Sequence, residues 1–344
     1  MPGDCPPFDS FLLVSFGGPE GPDDVMPFLE NVLRGKPVPL ERKLEVAEHY
    51  KHFGGISPIN EQNRNLLAAI EKEFSAHQID LPVYWGNRNW HPLLADTLQQ
   101  MQRDGRQRTI AFFTSMFSSY SGCRQYRENL MAAREQVGAD APTIDKLRMG
   151  FNHPGFIAPM IESLLAAVAS IEGDSSTPVV FTAHSIPNSM ADYCSYQRQL
   201  QEACRLVAEG AKMENWQLAF QSRSGPPQQP WLEPDVCDAI EALDDSQRLE
   251  RLVIVPIGFV SDHMEVLYDL DEEAAQLCEQ RGIRMARANT VGTHPRFVTM
   301  IRELVQERML ASANRPFLGS LGAWHDVCPK DCCLYVPARP AVVG

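Results

Sequence analysis

The chain has 344 residues, of which 44% are hydrophobic and 22% are charged, and its formal net charge at pH 7 is −13. This composition is typical of a globular protein with two domains of ordinary size or one large domain. The acidic balance excludes non-specific nucleic-acid binding, and no apolar run approaches the ~20 residues that an integral membrane segment requires. Because the N-terminus lacks the pattern of a signal peptide, we expect a cytoplasmic enzyme.

Short apolar runs alternate with amphipathic segments along the chain. The runs that predict strands are 11–15, 83–90, 109–113, 178–183, 217–220, 252–257 and 284–288. The segments that predict helices are 61–74, 156–171, 193–213, 236–244 and 295–310, with amphipathic helices or a mobile flap at 20–53. This alternation is typical of parallel sheets with βαβ connections.

The pattern is interrupted near residue 150 and then starts again. We therefore predict an α/β fold with two Rossmann-like domains, at 1–150 and 151–310, followed by a C-terminal extension at 311–344. Each domain is expected to have a parallel sheet flanked by helices, with a cleft between the two domains.

Two polar side chains follow two of the predicted buried strands. His184 comes directly after strand 178–183, and Glu265 lies shortly after strand 252–257. Ligands of α/β folds bind beyond the carboxyl ends of strands, so the two side chains share one pocket if their strands are neighbours. An imidazole and a carboxylate suit general base chemistry near neutral pH, or transient binding of a divalent first-row metal.

An acidic stripe continues from Glu265 along a predicted helix. At ~100° per residue, the acidic residues share one face of this helix and the apolar residues share the other. The acidic face consists of Glu265, Asp269, Glu272 and Glu273, and the apolar face of Leu267, Leu270, Ala274 and Leu277. Most acidic stripes are solvated helix faces, but the start of this one at a strand end favours a functional site.

Two loops offer binding groups. The Pro-rich loop 221–235 is stiff and carries Arg223 for an anionic group and Trp231 for stacking, although a structural crossover loop is an equal alternative. The turn Phe16-Gly-Gly-Pro19 lets backbone approach a ligand closely. It does not spell G-x-G-x-x-G, so no nucleotide is expected.

Seven motifs, in order between about residues 9 and 308, make this sequence resemble the ferrochelatases. They are Ser15-Phe-Gly-Gly-Pro19, His52-Phe-Gly-Gly-Ile-Ser-Pro-Ile-Asn60, Gly86-Asn-Arg-Asn-Trp90, Thr182-Ala-His-Ser-Ile-Pro187, Gln221-Ser-Arg-Ser-Gly-Pro-Pro227, Trp231-Leu-Glu-Pro-Asp235 and Gly258-Phe-Val-Ser-Asp-His-Met-Glu-Val-Leu-Tyr-Asp269. The resemblance implies two Rossmann-like domains and insertion of Fe²⁺ into a porphyrin held in the interdomain cleft. It also implies that His184 and Glu265 are the catalytic pair.

Metal insertion requires a free-base porphyrin to lose its pyrrole N–H protons, and a rigid cleft that bends the macrocycle exposes the nitrogens. We expect His184 to accept a proton or to flank the approaching iron, with Glu265 assisting it. Asp269, Glu272 and Glu273 are then expected to form a path that carries protons out or iron in. The predicted porphyrin contacts are Phe16, Arg34, Ser57, Arg88, Tyr120, Arg223 and Trp231, with the arginines facing propionates.

Which porphyrin is used follows from the type of ferrochelatase. The sequence resembles the actinobacterial type most, which implies coproporphyrin III as substrate and coproheme III as product. Residues 27–53 lack the apolar lip expected of a membrane-docked enzyme, which agrees with a soluble tetracarboxylic substrate. Firmicute coproporphyrin enzymes have tyrosine where this chain has Phe16, so a phenolate–iron role is excluded.

Three alternatives stay open. One is a protoporphyrin IX ferrochelatase that makes protoheme, and another is a non-catalytic tetrapyrrole carrier or iron-responsive regulator. The third is a chelatase that inserts cobalt or nickel, because the ligand types alone do not select iron. The sequence makes no prediction of the oligomeric state.

Three cysteines, Cys328, Cys332 and Cys333, crowd the C-terminus. Many ferrochelatases hold a [2Fe–2S] cluster with three C-terminal cysteines and one internal cysteine, and Cys123 occupies the matching internal place. The C-x₃-C-C spacing departs from the animal pattern. Zn²⁺ on the same ligands, or with His325 replacing one, is the second choice, and three reduced thiols are the third. We expect the cluster, in a structural or sensing role, because crowded free thiols are a liability.

Overall fold

The structure is a computed structural model that describes residues 7–35, 38–225, 228–310 and 314–335. Residues 36–37 of the predicted flap and 226–227 of the Pro-rich loop lie outside the described residues. So do 311–313 and 336–344 of the predicted C-terminal extension.

Eight parallel strands form two four-stranded sheets in the described residues. The first sheet has the order β2-β1-β3-β4, and the second has the equivalent order β6-β5-β7-β8, so the second half of the chain repeats the topology of the first. The strands are β1 (Ser10–Ser15), β2 (Val83–Asn87), β3 (Arg108–Phe113), β4 (Thr143–Lys146), β5 (Val179–His184), β6 (Trp216–Gln221), β7 (Arg251–Val255) and β8 (Arg284–Arg287).

Helices cover both faces of the two sheets, as parallel sheets require. Within the described ranges they are α1 (Val25–Val32), α2 (Leu40–His52), α3 (Ile59–Ala76), α4 (Leu94–Arg103), α5 (Gln125–Val137), α6 (Pro154–Ser170), α7 (Asn188–Ala191), α8 (Tyr196–Ala211), α9 (Val236–Gln247), α10 (Met264–Val266), α11 (Ala275–Arg281) and α12 (Pro295–Met309). Among these helices, none combines the length and the apolar content that crossing a membrane requires.

The α/β prediction is confirmed, and the predicted strands and helices are present with ends displaced by a few residues. Strand β4 and helices α4 and α7 are among the elements without a predicted counterpart. Strand β4 is short and carries one apolar residue, Ile144, because it lies at the edge of its sheet. Helix α4 has Leu94, Leu98 and Met101 at helical spacing, a signal that the sequence does contain.

The largest hydrophobic cluster joins the two halves of the chain. Phe11 of β1 and Phe181 of β5 belong to this cluster, whereas the alternate residues Leu12 and Val180 belong to smaller clusters on the opposite faces. Side chains of a strand point alternately to the two faces of its sheet, so one face of each sheet contributes to the shared core.

Helix α12 returns from the second half to pack against α3 and α6. The rings of Phe297 on α12 and Phe112 on β3 lie 6.0 Å apart. Arg148 and Glu307 form a buried two-point ion pair, with N–O distances of 2.8 and 2.9 Å. These contacts hold the two sheets in one arrangement, which positions their carboxyl ends relative to each other.

Candidate active site

His184 is the last residue of β5, and the chain leaving β7 reaches Glu265 in α10. Strands β5 and β7 are hydrogen-bonded neighbours, which is the condition for His184 and Glu265 to share one pocket. The chain turns from β5 to β6 on one side and reaches β7 on the other, so His184 lies at the topological switch point of its sheet. Ligands of open α/β sheets bind at this place.

The two side chains face each other in the structure. His184 Nε2 lies 3.6 Å from Glu265 Oε2, and the side chains are 33% and 48% exposed, so a ligand reaches both. His184 Nδ1 hydrogen-bonds to the carbonyl oxygen of Ser185, which only accepts, so Nδ1 carries a proton. In the neutral ring, Nε2 is therefore the nitrogen that offers a lone pair to the cleft.

This proximity couples the charges of the pair. Burial lowers the pKa of His184, but the charge of Glu265 and its hydrogen bond outweigh burial and raise the pKa to about 9. Burial raises the pKa of Glu265, but the charge of His184 reverses this and lowers the pKa to about 2. At neutral pH the free site therefore holds one proton, as an imidazolium–carboxylate pair.

His263 sets the direction in which α10 begins. Its Nδ1 accepts a hydrogen bond from the backbone N–H of Glu265 (3.2 Å), as an N-cap does. The preceding Asp262 accepts from Thr290 (3.1 Å) and from Arg287 (3.3 Å). The strand-to-helix junction is thus held by its own polar residues, which gives the Glu265 carboxylate a defined position.

The acidic stripe does not lie on the α-helix that the sequence predicts, because residues Leu267–Ala274 form a π-helix. The assumed rotation of ~100° per residue is therefore wrong over this segment, since a π-helix has i→i+5 hydrogen bonds and a wider turn. Single π-helical turns within α-helices occur frequently at functional sites. Glu265 and Asp269 nevertheless lie close enough for the charge of Glu265 to raise the pKa of Asp269, after burial.

Asp269 is the inner member of the stripe. Its Oδ2 accepts hydrogen bonds from Ser222 and from Gln221 Nε2 (3.2 Å), and the same Gln221 amide donates to the carbonyl oxygen of Glu265 (3.1 Å). Burial, followed by the charges of Glu265 and Glu273, raises the pKa of Asp269 to about 7. Asp269 therefore exchanges a proton readily near neutral pH.

The outer part of the stripe contacts helix α2 of the first half. Glu272 Oε1 lies 2.6 Å from His52 Nε2, and the ring of Tyr268 stacks on that of His49 with centroids 3.9 Å apart. The pKa of Glu273 is raised, mainly by burial. His49 and His52 were missed by the sequence prediction, although two histidines spaced by three on one amphipathic helix are a readable signal.

The rings of Phe16 and Tyr126 flank Arg88 near the carboxyl end of the first sheet, and we call them the aromatic group. The Arg88 guanidinium lies 4.4 Å from the ring of Tyr126 and 5.6 Å from that of Phe16, and Arg88 Nε donates to Asn129 (2.7 Å). Burial lowers the pKa of Arg88. Nearby, the Tyr120 hydroxyl donates to a carboxylate, that of Glu128, at 3.1 Å.

Aromatic rings connect this group to the vicinity of Glu265. Phe28 packs edge-on against Phe16 and Tyr50, with centroid distances of 6.2 and 5.7 Å. Tyr50 is near enough to Glu265 for that carboxylate, after burial, to raise the pKa of the Tyr50 hydroxyl. The structure therefore links Phe16 to Glu265 through Phe28 and Tyr50, and Tyr50 is a candidate site residue that the sequence prediction missed.

The remaining predicted porphyrin contacts differ in their exposure to solvent. Ser57 is buried and its N–H donates to Pro19 (2.9 Å). Arg34 is exposed on the C-terminal side of α1, where it hydrogen-bonds to Asn31. Two of the predicted contacts lie on the Pro-rich loop. Arg223 donates to a carbonyl of the same loop (3.0 Å), and Trp231 is 9% exposed, which leaves little of its ring for a ligand.

A cavity of about 910 Å³ lies elsewhere, at the amino ends of β1 and β2, where Asp9 and Arg106 line it. A smaller cavity of about 170 Å³ lies between Gln62 and Ser261. No predicted site residue lines either cavity. Because ligands bind at the carboxyl ends of the strands, we assign the active site by the side chains and not by cavity size.

The structure also gathers the cysteines. The Cys123 and Cys328 thiols lie near enough for each to shift the pKa of the other, and the Sγ atoms of Cys332 and Cys333 lie 3.6 Å apart. Ligand atoms of His325, Cys328 and Cys332 all lie within 4.8 Å of one another. Cys333 adjoins this set of three donors through Cys332, and Cys123 adjoins it through Cys328.

The surroundings of this group favour a thiolate at Cys328. The neighbouring Cys123 thiol is the largest cause that lowers the pKa of Cys328 to about 4, and the charge of Lys146 contributes in the same direction. Burial raises the pKa of Cys332 and of Cys333, and the neighbouring Cys328 side chain raises the pKa of Cys123. Arg124 donates to the carbonyl oxygen of Cys332 (3.0 Å), which holds the C-terminal segment at the start of α5.

The two four-stranded sheets have the same strand order, and an imidazole–carboxylate pair lies at the switch point of the second sheet. These features define the class of this protein, an α/β enzyme with a chelatase-like fold. The sirohydrochlorin chelatase SirB from Bacillus subtilis subspecies spizizenii in complex with cobalt has a TM-score of 0.53 and 10% identity, covering 88% of this chain and 96% of that chain. SirB from Bacillus subtilis with Fe³⁺ has a TM-score of 0.56 and 11% identity, covering 88% and 97%. At these identities the likeness concerns the fold alone.

Sequence comparison identifies the family. The family model described as Ferrochelatase matches residues 9–309. A ferrochelatase from Rhodopirellula baltica is 68% identical over 342 residues, which cover 99% of this chain and 97% of that protein. A coproporphyrin III ferrochelatase from Streptomyces coelicolor is 49% identical over 365 residues, with 99% and 97% covered. The chain belongs to the ferrochelatase family, and the predicted resemblance is confirmed.

Proposed function

We propose that this enzyme inserts Fe²⁺ into coproporphyrin III to give coproheme III. The single observation that carries the chemistry is the contact between His184 and Glu265 at the switch point of the second sheet. Tyr50, which packs against Phe28 and through it towards Phe16, lies near this pair. A flat macrocycle that lies against this pair exposes its pyrrole nitrogens to a base on one side.

His184 Nε2 is the proton acceptor in this proposal. Its proton must leave before it accepts one from a pyrrole N–H, because the pair holds a proton at neutral pH. The arriving Fe²⁺ favours this loss, since a cation close to an imidazolium lowers the pKa of the ring. Glu265 remains a carboxylate throughout and stabilises each imidazolium that forms.

Asp269 connects the pair to solvent. With a pKa raised to about 7, it both accepts and releases a proton at neutral pH, which a carboxylate of ordinary acidity does poorly. Glu273, whose pKa is also raised, and Glu272 continue the stripe outward. We infer that protons leave, or iron enters, along this stripe, because oxygen ligands and mixed N/O sets bind divalent metals reversibly.

The choice of coproporphyrin III rests on the relatives. The Streptomyces coelicolor protein that is 49% identical to this chain is named a coproporphyrin III ferrochelatase. The predicted contacts include arginines, Arg34, Arg88 and Arg223, which suit a substrate with several carboxylates. Protoporphyrin IX, with fewer carboxylates, is the alternative, and a cytoplasmic location stays a prediction from the sequence.

An anaerobic assay tests this function. The enzyme is incubated with Fe²⁺ and either coproporphyrin III or protoporphyrin IX, and the Soret band is followed. We expect faster insertion into coproporphyrin III, and we expect His184→Ala to abolish insertion while porphyrin still binds. Normal turnover by His184→Ala contradicts the assigned base. Porphyrin binding without any insertion by the unaltered enzyme favours a carrier.

We also propose a [2Fe–2S] cluster held by C-terminal cysteines together with Cys123. The donor set fits such a group, because several sulfur atoms converge, one thiol is strongly acidified, and Lys146 offsets the negative charge. When bound, a cluster of this type supplies structural cross-links or redox sensing. The thiols of this chain hold the C-terminal segment against the internal Cys123.

Visible absorption of anaerobically purified protein tests the cluster. We expect bands of a [2Fe–2S] group in the unaltered protein and their loss in Cys332→Ser. Cys278→Ser is the matched control, because that cysteine is buried in a different cluster of apolar residues and should leave the bands unchanged. A colourless protein that contains iron-free thiols excludes the cofactor.

A further inference from the structure

Gln221 lies next to His184 at the carboxyl end of the second sheet. It is the last residue of β6, and His184 is its register partner in β5. Its carbonyl oxygen accepts a hydrogen bond from the backbone N–H of Ser185 (2.8 Å). Gln221 is only 1% exposed, so a ligand in the cleft does not reach its side chain. Any influence of this side chain on the reaction therefore passes through the protein groups that it contacts.

The side-chain amide of Gln221 connects two parts of the acidic stripe. Its Nε2 donates to the carbonyl oxygen of Glu265 (3.1 Å) and to Asp269 Oδ2 (3.2 Å). Both partner atoms accept, so the two hydrogens of the amide nitrogen are used and the amide cannot be turned over. The start of α10 and the π-helix are thereby tied to the end of β6.

The amide oxygen of Gln221 has no comparable role. Its Oε1 is buried and has no hydrogen-bond partner among the residues whose positions the structure gives. A buried polar atom without a partner costs free energy, and an apolar side chain of the same length would avoid this cost. Packing alone therefore does not require an amide at this position, and what the amide adds is the two bonds that Nε2 donates.

These bonds determine how the Asp269 carboxyl group is presented. Its Oδ2 accepts hydrogen bonds from both Gln221 and Ser222, so a proton bound by Asp269 sits on Oδ1. Ser222 has a backbone φ of 61°, a left-handed conformation that non-glycine residues adopt mainly at functional sites and turns. Both donors favour the carboxylate and oppose the effect of burial, which lets Asp269 release its proton again.

Several titratable groups interact electrostatically with Asp269. They are His184 of β5, Cys237 of α9, Glu265 of α10, and Tyr268 and Glu273 of the π-helix. Against the effect of burial, the charge of Glu265 raises the pKa of His184 to about 9, so His184 holds a proton at neutral pH. Burial raises the pKa of Asp269 to about 7, so Asp269 is a carboxyl group matched to take that proton. The Cys237 thiol and the Tyr268 hydroxyl have pKa values raised mainly by burial and stay neutral.

We propose that Gln221 is a positioning residue for metal insertion: its side-chain amide holds the Asp269 carboxyl group in the place where it receives the proton that His184 Nε2 releases. Asp269 becomes neutral in this step, then passes the proton outward and returns to the carboxylate, so no other reactant is needed. This inference rests on the proposed function, in which His184 must lose a proton before it accepts one from the porphyrin.

Gln221→Met tests this inference, because methionine has a similar length and shape but cannot donate to Glu265 or Asp269. In the full chain with Fe²⁺ and coproporphyrin III, we expect kcat to fall by up to ~10²-fold, as misplacement of a reacting group can cause, while the Kd for porphyrin stays unchanged. Gln217→Met is the matched control, since Gln217 lies on the same face of β6 and donates to the carbonyl oxygen of Ala239 (3.4 Å). This control should leave kcat unchanged. A kcat of Gln221→Met equal to that of the unaltered enzyme overturns the inference.

A double variant distinguishes the positioning of Asp269 from a general loss of structure. If Gln221 acts through Asp269, adding Gln221→Met to Asp269→Asn should slow insertion little beyond the loss in Asp269→Asn alone. Losses that multiply would show that Gln221 acts by another route, which overturns the inference. Gln221→Glu is the second variant, in case Gln221→Met does not fold. It keeps the shape of the side chain, replaces the donating nitrogen with an oxygen, and should show the same loss and the same non-additivity.

Thermal unfolding separates this inference from the proposed function, because it requires no metal insertion. The hydrogen bond from Gln221 lowers the pKa of Asp269, so its loss should raise that pKa above about 7. The pH range in which Asp269→Asn gains Tm should therefore extend to higher pH in the Gln221→Met background and not in the Gln217→Met background. An unchanged range overturns the inference. An unaltered enzyme that binds porphyrin but inserts no metal refutes the proposed function and the proton transfer, and an extended range would then still support Gln221 as the residue that positions Asp269.

Discussion

His52 on α2 and Glu272 on the π-helix lie 2.6 Å apart, between Nε2 and Oε1, although the first belongs to the N-terminal half and the second to the C-terminal half. The stacked rings of His49 and Tyr268 reinforce this contact. The acidic stripe therefore ends against a helix that also carries Tyr50, whose hydroxyl has a pKa raised by burial and by the charge of Glu265. One helix thus lies near both ends of the proposed ion path.

Glu272→Gln should raise the KM for Fe²⁺ several-fold and leave the KM for porphyrin unchanged, because a carboxylate is lost only from the outer stripe. His52→Gln should not raise the KM for Fe²⁺, since it frees the same carboxylate. His52 is 61% exposed, so either change should alter the free energy of unfolding by no more than ~1 kcal/mol. Steady-state kinetics with each substrate varied in turn measure both effects. Equal changes in both KM values contradict an iron path.

Glu265→Gln should move the pH dependence of metal insertion. In the unaltered enzyme, kcat/KM should rise with pH as His184 loses its proton, because its pKa is raised to about 9. The carboxylate of Glu265 is the largest cause that raises the pKa of His184, so without it this pKa should fall and the rise should occur at lower pH. The plateau rate should also fall, by ~10²–10⁴-fold for a lost acid–base partner.

The measurement is a pH–rate profile, accompanied by histidine titration in the nuclear magnetic resonance spectrum. His294→Gln is a control, because His294 pairs with Glu162 on α6, away from the site. A profile of Glu265→Gln that coincides with that of the unaltered enzyme, apart from its height, would show that Glu265 does not set the basicity of His184.

Asp269→Asn should stabilise the protein at high pH while slowing metal insertion. The pKa of Asp269 is about 7 in the folded state against an ordinary value of 3.8, so the folded chain retains a proton that the unfolded chain has lost. Stability therefore falls as pH rises between these values, and the neutral asparagine avoids this loss. The Tm of the variant relative to the unaltered protein should increase as pH rises from 3.8 to about 7, and should stay constant above that pH.

Thermal unfolding at a series of pH values measures this gain. Asp271→Asn is the matched control, because its carboxylate pairs with Arg287 (2.9 Å) and its loss offers no such gain. An Asp269→Asn variant with a pH-independent change in Tm would contradict the raised pKa.

Glu307→Gln should destabilise the fold by about 3–5 kcal/mol, because it leaves the buried guanidinium of Arg148 without its counter-charge. The double variant Arg148→Met with Glu307→Leu should recover much of this loss, since apolar side chains of similar volume need no pairing. Chemical denaturation measures both.

Glu209→Gln is the control, because it removes an exposed partner of Arg205 and should lower the free energy of unfolding by less than ~1 kcal/mol. A similar loss in the single and double variants would contradict the proposed cause.

Local patterns were sufficient to predict most of the strands and helices, and the places of His184 and Glu265 after two of the strands. His184 and Glu265 were predicted together because each follows an apolar run, and the order of parallel strands brings such ends together. The π-helix was not predicted, because the residues of 267–274 have ordinary helical periodicity and only the tertiary setting widens the turn. The role of α2 was missed for a similar reason, since its partners lie about two hundred residues away in the chain.

The sequence by itself determined the alternation of strands and helices, the family, and which side chains end the central strands, because these depend on local hydrophobic periodicity and on motifs. Only the tertiary structure decided which charges meet: the pairing of His184 with Glu265, the burial of Asp269, the contact of His52 with Glu272, and the approach of His325 to the cysteines. Each of these depends on distances between segments remote in sequence, and electrostatic effects change steeply with distance and burial.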